Sequence, residues 1–210
     1  QCESTCPWEI GQQIQIGGDP ALVSDVQMGG SVRAGSMVIR DGSALRVSRG
    51  DWESLGDFDI SGAGANARFA FGSELDVGGM LSVRGSSIVP DDPARLVVTG
   101  ADTVAAVAGN LRIGFQSAGV SPGEVVVDDG ALVVVRGTLL LNTSGTLDLQ
   151  PGGTVHAAAA DLQGTVLANG GALYVDGALV VPEPAHGLGG AAALVVLQRA
   201  RTARSRRRRA

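Results

Sequence analysis

The chain has 210 residues and a formal net charge of −5, and it combines 32 glycines and 44% hydrophobic residues with only 3% aromatic residues. This hydrophobic fraction argues against a disordered chain, and the scarcity of aromatic side chains favours a core built from aliphatic layers. Seven of the 16 arginines lie between Arg199 and Arg209, so residues 1–198 carry nine arginines against all 21 acids, a net charge of −12 that makes nucleic acid a poor partner.

Residues 1–11 are interpreted as an N-terminal cap segment, because stacked strands expose unpaired edges that must be covered. This segment contains Trp8 and the only two cysteines, Cys2 and Cys6. The two thiols either form a small disulfide loop in an oxidising compartment or remain free, and the sequence leaves both open. Neither histidine of the chain lies at ligand spacing from the cysteines, so we expect no zinc site.

Residues 12–181 repeat a short unit in which two apolar residues flank a variable one. Clear copies are Leu45-Arg46-Val47, Leu75-Asp76-Val77 and Leu147-Asp148-Leu149. Alternation at period two predicts β-strands whose apolar side chains face inward and whose middle side chain faces outward.

The spacing of these units predicts the architecture. The first apolar residues of successive units follow each other at short steps, at Val125, Leu132, Leu139, Leu147, Val155, Val166, Leu173 and Leu179. Three such strands give about 22 residues per coil and room for about seven coils. We therefore predict an all-β parallel β-solenoid, or β-helix, of about seven short-strand coils, with Leu132, Leu139 and Leu147 in a shared interior. An up-and-down antiparallel arrangement is the alternative, since the Asp-Gly and Asn-Gly corners also suit hairpins.

The first half of this region is less regular, and two stretches are predicted to leave the strand pattern. These are residues 48–56 and residues 86–95, the second of which contains Pro90 and Pro93. Proline lacks the backbone N–H that a strand ladder needs, which supports an excursion at the second stretch.

Residues 182–210 form a distinct C-terminal segment with three parts. Pro182-Glu183-Pro184 stops any strand, residues 187–197 are an uncharged run that we predict to be an apolar helix, and a basic tail follows. The tail ends in Arg206, Arg207, Arg208 and Arg209. Arginines beside an apolar segment hold that end on the cytoplasmic side, so they predict a cytoplasmic stop.

This order resembles the PEP-CTERM sorting signal of Gram-negative bacteria, over residues 181–210. The resemblance implies that Pro182, Glu183 and Pro184 are recognised by an exosortase, a membrane-embedded cysteine protease. It also implies export to the cell surface or extracellular matrix after a transient association with the inner membrane. The apolar run departs from the pattern, because as a helix it covers about 16 Å of a hydrocarbon core about 30 Å thick. A solvated basic tail without a sorting role is the alternative.

The repeat region also resembles the Gly-rich strand repeats of autotransporter passengers and related surface proteins, most clearly in residues 110–119 and 124–137. The resemblance implies a fold and no particular activity.

No catalytic residue, metal site or cofactor is predicted. His156 occupies an outward strand position, and the neighbouring acids of Asp91-Asp92 and Asp128-Asp129 would point to opposite faces of an extended strand.

The candidate ligand contact is Asp51, Trp52 and Glu53, since a tryptophan beside acids can stack on a sugar ring while the acids bind its hydroxyls. The alternative is that Trp52 folds back as a hydrophobic plug over a coil.

Two functions follow. The first is a non-catalytic surface, matrix or biofilm protein, structural or adhesive, with exopolysaccharide or other surface proteins as partners. The second is a glycan-binding β-helix, or a polysaccharide lyase or glycoside hydrolase, delivered by the same route. Asp, Glu, Arg and Trp gathered on one face would favour the second, and outward residues scattered over the faces would favour the first.

Overall fold

The computed structural model describes residues 13–17, 25–28, 30–116, 120–181 and 194–195. Within these ranges the chain forms strands and turns and contains no helix. The strands are β1 Gln13–Ile16, β2 Asp25–Met28, β3 Val32–Ala34, β4 Ser36–Arg40, β5 Ala44–Ser48, β6 Asp51–Ser54, β7 Phe58–Ser61, β8 Asn66–Ala70, β9 Glu74–Val77, β10 Leu81–Arg84, β11 Ala94–Thr99, β12 Val104–Val107, β13 Leu111–Ile113, β14 Phe115–Gln116, β15 Val120–Ser121, β16 Gly123–Asp128, β17 Leu132–Leu141, β18 Gly145–Leu149, β19 Thr154–Leu162, β20 Thr165–Ala168, β21 Ala172–Val175, β22 Ala178–Val181 and β23 Leu194–Val195.

The strands form three columns of parallel neighbours, which we call the first, second and third faces. The first face is β1-β4-β7-β10-β13 and continues into the second halves of β17 and β19. The second face is β2-β5-β8-β11-β16-β18-β20. The third face is β3-β6-β9-β12, followed by the first halves of β17 and β19 and then by β21. The all-β, parallel class is confirmed and is consistent with a β-solenoid.

Antiparallel pairing is confined to three places among the described residues: β14 with β15, β21 with β22, and β20 with β23. The up-and-down antiparallel alternative is therefore wrong for this chain.

The register between neighbouring strands of the first face gives steps of two lengths. On the first face Met37 pairs with Phe58, and Phe58 pairs with Leu81, so each step is close to one predicted coil. The steps from Leu81 to Leu111 and from Leu111 to Leu139 are longer than a predicted coil. Both longer steps contain a loop outside the ladder, so the repeat is regular wherever the chain stays in the strands.

The core is a set of aliphatic rows that run across the strands. Met37, Phe58, Leu81, Leu111 and Leu139 form one such row and are each at most 2% exposed. Burial of this kind is the main stabilising term, at about 25 cal/mol per Å² of apolar surface.

The inward phase of the strands differs from the prediction at two positions. Leu139 and Leu147 are buried, but Leu132 is half-buried because Val133 and Val135 take the inward positions of β17. Leu179, in β22, is 50% exposed. The sequence predicts that Asp148 faces outward, but this residue is buried. Its carboxylate accepts hydrogen bonds from Gln150 Nε2 at 2.7 Å and from Asn169 Nδ2 at 2.8 Å, which satisfy the buried charge.

The corner between the third and first faces is a column of five glycines. Each amide donates to the carbonyl of the glycine one coil before it: Gly56 to Gly35 at 2.7 Å, and Gly79 to Gly56, Gly109 to Gly79 and Gly137 to Gly109 at 3.0 Å. A Cβ on Gly109 would lie 2.5 Å from the carbonyl oxygen of Gly79. The column thus brings backbones closer than any side chain permits.

One predicted excursion is wrong and the other is confirmed over most of its length. Residues 48–56 contain β6, which pairs with β3 and β9 in the third face. Residues 85–93 do lie outside the ladder, whereas Arg95 belongs to β11. A second excursion that the sequence did not predict is the hairpin of β14 and β15.

Strands β1 to β22 lie between Gln13 and Val181, and the boundaries of the repeat region stay a prediction. The predicted cap of residues 1–11 lies outside the described residues. Of the predicted apolar helix only Leu194–Val195 is described, and these two residues form the strand β23.

Candidate functional site

The predicted ligand contact lies on the third face, in β6. Trp52 is the inward residue of this strand, is 2% exposed, and packs edge-on against Phe69 with ring centroids 6.4 Å apart. Its indole Nε1 has no hydrogen-bond partner among the described residues. With its ring inside the core, Trp52 offers no surface on which a sugar could stack, so it does not make the predicted contact. It is buried as the plug alternative expects, but as an inward residue of a strand between two others and not as a loop residue over a coil.

Asp51 and Glu53, the neighbours of Trp52, project outward because successive side chains of a strand alternate between faces. Asp51 pairs in register with Glu74 of β9, and Glu53 pairs with Asp76. We call these four carboxylates the acidic surface. Asp51, Glu74 and Asp76 are exposed and Glu53 is half-buried. Neighbouring strands lie about 4.8 Å apart, so the four acids of the acidic surface project from two pairs of adjacent backbone positions.

One arginine lies at the edge of the acidic surface. Arg33 Nε, on β3, is 2.9 Å from Glu53 Oε2, and both side chains are close to half exposed. A solvent-exposed ion pair of this kind contributes about 0–1 kcal/mol. Arg33 therefore screens one carboxylate of the four and leaves the others facing solvent.

Beyond the acidic surface, the outward positions of the third face become apolar and then aromatic. Val104, Ala106 and Val134 are half-buried outward residues of the next two coils. They are followed by His156 and Tyr174, whose rings stack with centroids 4.6 Å apart and an interplanar angle of 6°. The histidine is thus engaged with a ring rather than with a nucleophile.

The other two faces carry their own ion pairs. Arg95 Nε lies 3.0 Å from Glu124 Oε2 on the second face. On the first face Arg84 donates to both carboxylate oxygens of Asp59, at 3.2 and 3.0 Å, and these hydrogen bonds raise the pKa of Arg84 although its partial burial opposes the shift.

A ring from the unpredicted hairpin contacts two cations of the first face. The guanidinium carbon of Arg84 is 5.9 Å from the ring centroid of Phe115, and that of Arg112 is 5.7 Å away. Cation–π contacts at partly exposed sites contribute about 0.5–1 kcal/mol each, so they hold the hairpin against the face.

The two adjacent acid pairs do not form a site. Asp91 and Asp92 are exposed in the excursion of residues 85–93, and Asp129 occupies a left-handed corner with a φ of 53° next to Gly130 with a φ of 81°. Within the described ranges, no group of three or more His, Cys, Asp or Glu side chains is arranged to hold a metal ion.

The remaining predicted residues lie outside the part of the chain that the structure describes. These are Cys2, Cys6, Pro182, Glu183, Pro184, Arg206, Arg207, Arg208 and Arg209. No helix among the described residues is long and apolar enough to cross a membrane.

Sequence reasoning missed Glu74 and Asp76. The signal was present, because each follows its partner in the acidic surface by close to one predicted coil. Comparisons with models of protein families, with curated proteins and with solved structures gave no match for this chain.

Proposed function

We propose that this chain is a non-catalytic β-solenoid protein of the cell surface or extracellular matrix, with a structural or adhesive role. The observation that carries the proposal is the distribution of its polar side chains. Ion pairs lie on all three faces, at Arg33–Glu53, Arg84–Asp59 and Arg95–Glu124, while Trp52 is inside the core. A groove built for catalysis would instead gather its acids and aromatic rings in one concave place.

The proposal includes the finer architecture of about seven stacked coils with three faces each. It is supported by three columns of parallel strands, whose neighbours are close to one predicted coil apart where the chain stays in the ladder. A body of this kind displays long, regular faces and needs no cofactor, which suits scaffolding or adhesion to exopolysaccharide and other surface proteins.

Delivery to the surface is the second part of the proposal. Pro182 immediately follows β22, so the motif of the segment resembling a PEP-CTERM signal begins directly after the last strand of the repeat region. We propose that an exosortase-type membrane protease recognises Pro182, Glu183 and Pro184 while the chain is held transiently at the inner membrane by its apolar run and terminal arginines.

An export assay in a Gram-negative host that expresses an exosortase tests this delivery. Glu183→Gln should leave unprocessed chain at the inner membrane, because the recognition motif loses its only charge. The matched control is Glu74→Gln, on the exposed acidic surface, which should be processed as the unaltered chain is. Normal processing of Glu183→Gln would refute the sorting proposal.

A glycan-binding or glycan-cleaving protein is the second candidate, favoured by the acidic surface alone. Its acids stand opposite one another on neighbouring strands, and glycoside hydrolases work with a pair of nearby carboxyl groups. Release of reducing ends from polysaccharides, lost in Glu53→Gln and Asp76→Asn but kept in Glu124→Gln, would overturn the non-catalytic proposal. Glycan-array binding with the same pattern and without cleavage would favour adhesion.

A further inference from the structure

The end of the second face is closed by a strand from the C-terminal segment. β23, residues Leu194–Val195, pairs antiparallel with β20, the last strand of this face, with Val166 opposite Val195 and Leu167 opposite Leu194. The partner on the other side of β20 is β18. β23 therefore occupies the one edge of β20 that the coils leave open.

The sequence of β20 makes this edge one that must be covered. Its four residues, Thr165, Val166, Leu167 and Ala168, carry no charge and no proline. Proteins blunt exposed strand edges with charges, prolines or a covering segment, because an unpaired apolar edge is a template for another chain. The end of the first face, by contrast, carries the exposed carboxylate of Asp161.

The end of the third face is also covered by an antiparallel strand, which here follows directly in sequence. After β21 the chain turns at Asp176 and Gly177, both with positive φ, and β22 folds back antiparallel to β21. Pro182, which cannot donate to a further strand, follows β22 directly. Two of the three faces thus end in an antiparallel strand supplied by the chain's own C-terminal part.

We propose that β23 serves as an edge cap for β20, and that the edge of β20 is a self-association surface for a second copy of this chain when β23 is removed or detached. In the capped chain the edge of β20 is paired with β23 of the same chain. When β23 is removed or detached, the edge pairs with a strand of another copy. The apolar run of residues 187–197 was predicted as a helix, and Leu194–Val195 being a strand is what points to this role.

The expectation that copies of the chain associate after export rests on the proposed function. The capping of β20 by β23 does not depend on it. Processing near Pro182 would release β23 from the body and uncover β20, while β22 would stay in place. Before export β23 would cover β20 and prevent association, and after processing the uncovered β20 could pair with another copy. Detachment of β23 in the intact chain has the same effect, which makes the proposal testable without any protease.

Hydrogen exchange on the purified full chain tests the cap. Leu194→Pro combined with Val195→Pro should prevent β23 from pairing, because proline removes the backbone N–H and is not tolerated within a strand ladder. A β20 amide that donates to β23 then loses its acceptor and should exchange about fivefold to tenfold faster, the effect expected when about one backbone hydrogen bond is lost. The control is Thr202→Pro combined with Ala203→Pro, beyond β23, which should leave exchange of β20 unchanged. Equal exchange in all three chains would overturn the cap.

Sedimentation of the same full-length chains tests the partner. The variant with prolines in β23 should show a mass that rises with concentration to at least a dimer, and adding Thr165→Lys on β20 should return it to a monomer. Thr146→Lys is the matched control, since Thr146 pairs with Thr165 one coil further in, and it should leave association intact. A proline variant that remains monomeric, or association insensitive to Thr165→Lys, would refute the self-association surface. These outcomes are independent of whether Glu183 directs sorting in cells.

Discussion

Replacing Gly109 by alanine tests whether the glycine column at the corner between the third and first faces is required by contact between backbones. Gly109 donates to the Gly79 carbonyl and accepts from the Gly137 amide, both at 3.0 Å. The new Cβ would lie 2.5 Å from the Gly79 carbonyl oxygen and 2.8 Å from its carbon, too close for any real Cβ. Because the obstructing atoms are backbone, the two coils must separate locally.

The magnitude follows from these contacts. Overpacking costs about 1–3 kcal/mol, and weakening of two hydrogen bonds costs about 1 kcal/mol each. The reduced entropy of the unfolded chain offsets about 0.4–1 kcal/mol, so Gly109→Ala should lose about 2–4 kcal/mol of unfolding free energy. For a domain of this size that loss lowers the Tm by about 5–12 °C.

The assay is thermal and guanidinium unfolding followed by far-ultraviolet circular dichroism. The control is Ala108→Ser, which adds one atom at the exposed neighbouring position and keeps the hydrogen bond from the Ala108 amide to Val77 at 2.8 Å. Ala108→Ser should unfold within about 0.5 kcal/mol of the unaltered chain. A Gly109→Ala variant that is equally or more stable would refute the close approach of the coils at this corner.

Three further substitutions probe the faces. Leu111→Ala should cost about 2–5 kcal/mol in urea unfolding because Leu111 is fully buried, while the half-buried, outward Leu132→Ala should cost less than half as much; equal losses would contradict the assigned phase of β17. In a Trp8→Phe background, Trp52 should emit at short wavelength and resist acrylamide quenching, and a quenchable Trp52 would place the ring outside the core. Arg84→Gln should cost under about 1 kcal/mol, and less in high salt, because its side chain is 42% exposed; a loss of several kcal/mol would mean that the ion pair is far less solvated.

The strands of the second half follow from the sequence because one physical rule decides them. Leu147 and Val155 alternate with polar or small residues, and both are buried. The rule fails at Leu132, which begins the unbroken run Leu132-Val133-Val134-Val135. In such a run hydrophobicity does not distinguish the two phases, and the corner at Asp129 and Gly130 determines which side chains enter the core.

The stretch of residues 48–56 shows a different limit. Arg49 adopts a positive φ of 57° at the corner before β6, a conformation that a non-glycine residue rarely takes and that no pattern indicated. Trp52 then occupies an inward position that Val32 and Leu75 fill in the neighbouring strands of the third face, with Phe69 beside it. Because an aromatic pair stands here in place of aliphatic residues, the aliphatic alternation that predicts strands is missing. The sequence therefore predicts a loop at residues 48–56, where the chain forms a strand.

The sequence predicts two of the four residues of the acidic surface. Asp51 and Glu53 stood out because they flank a tryptophan, and they face outward because Trp52 faces inward. Their opposition to Glu74 and Asp76 depends on the register, and the length of a coil in this chain varies according to which corner carries an excursion. Excursions change the sequence distance between neighbours without changing their position in the ladder.

The all-β class, most of the inward rows and the glycine corners follow from the local sequence, because period-two alternation and glycine spacing act within a few residues of each strand. The opposition of particular coils, the ion pairs across neighbouring strands and the closing of β20 by β23 depend instead on the folded chain. These contacts join residues that are distant along the chain, such as Arg33 with Glu53 and Leu167 with Leu194. They form only when the winding of the chain has brought separate coils side by side, so local chemistry alone does not specify them.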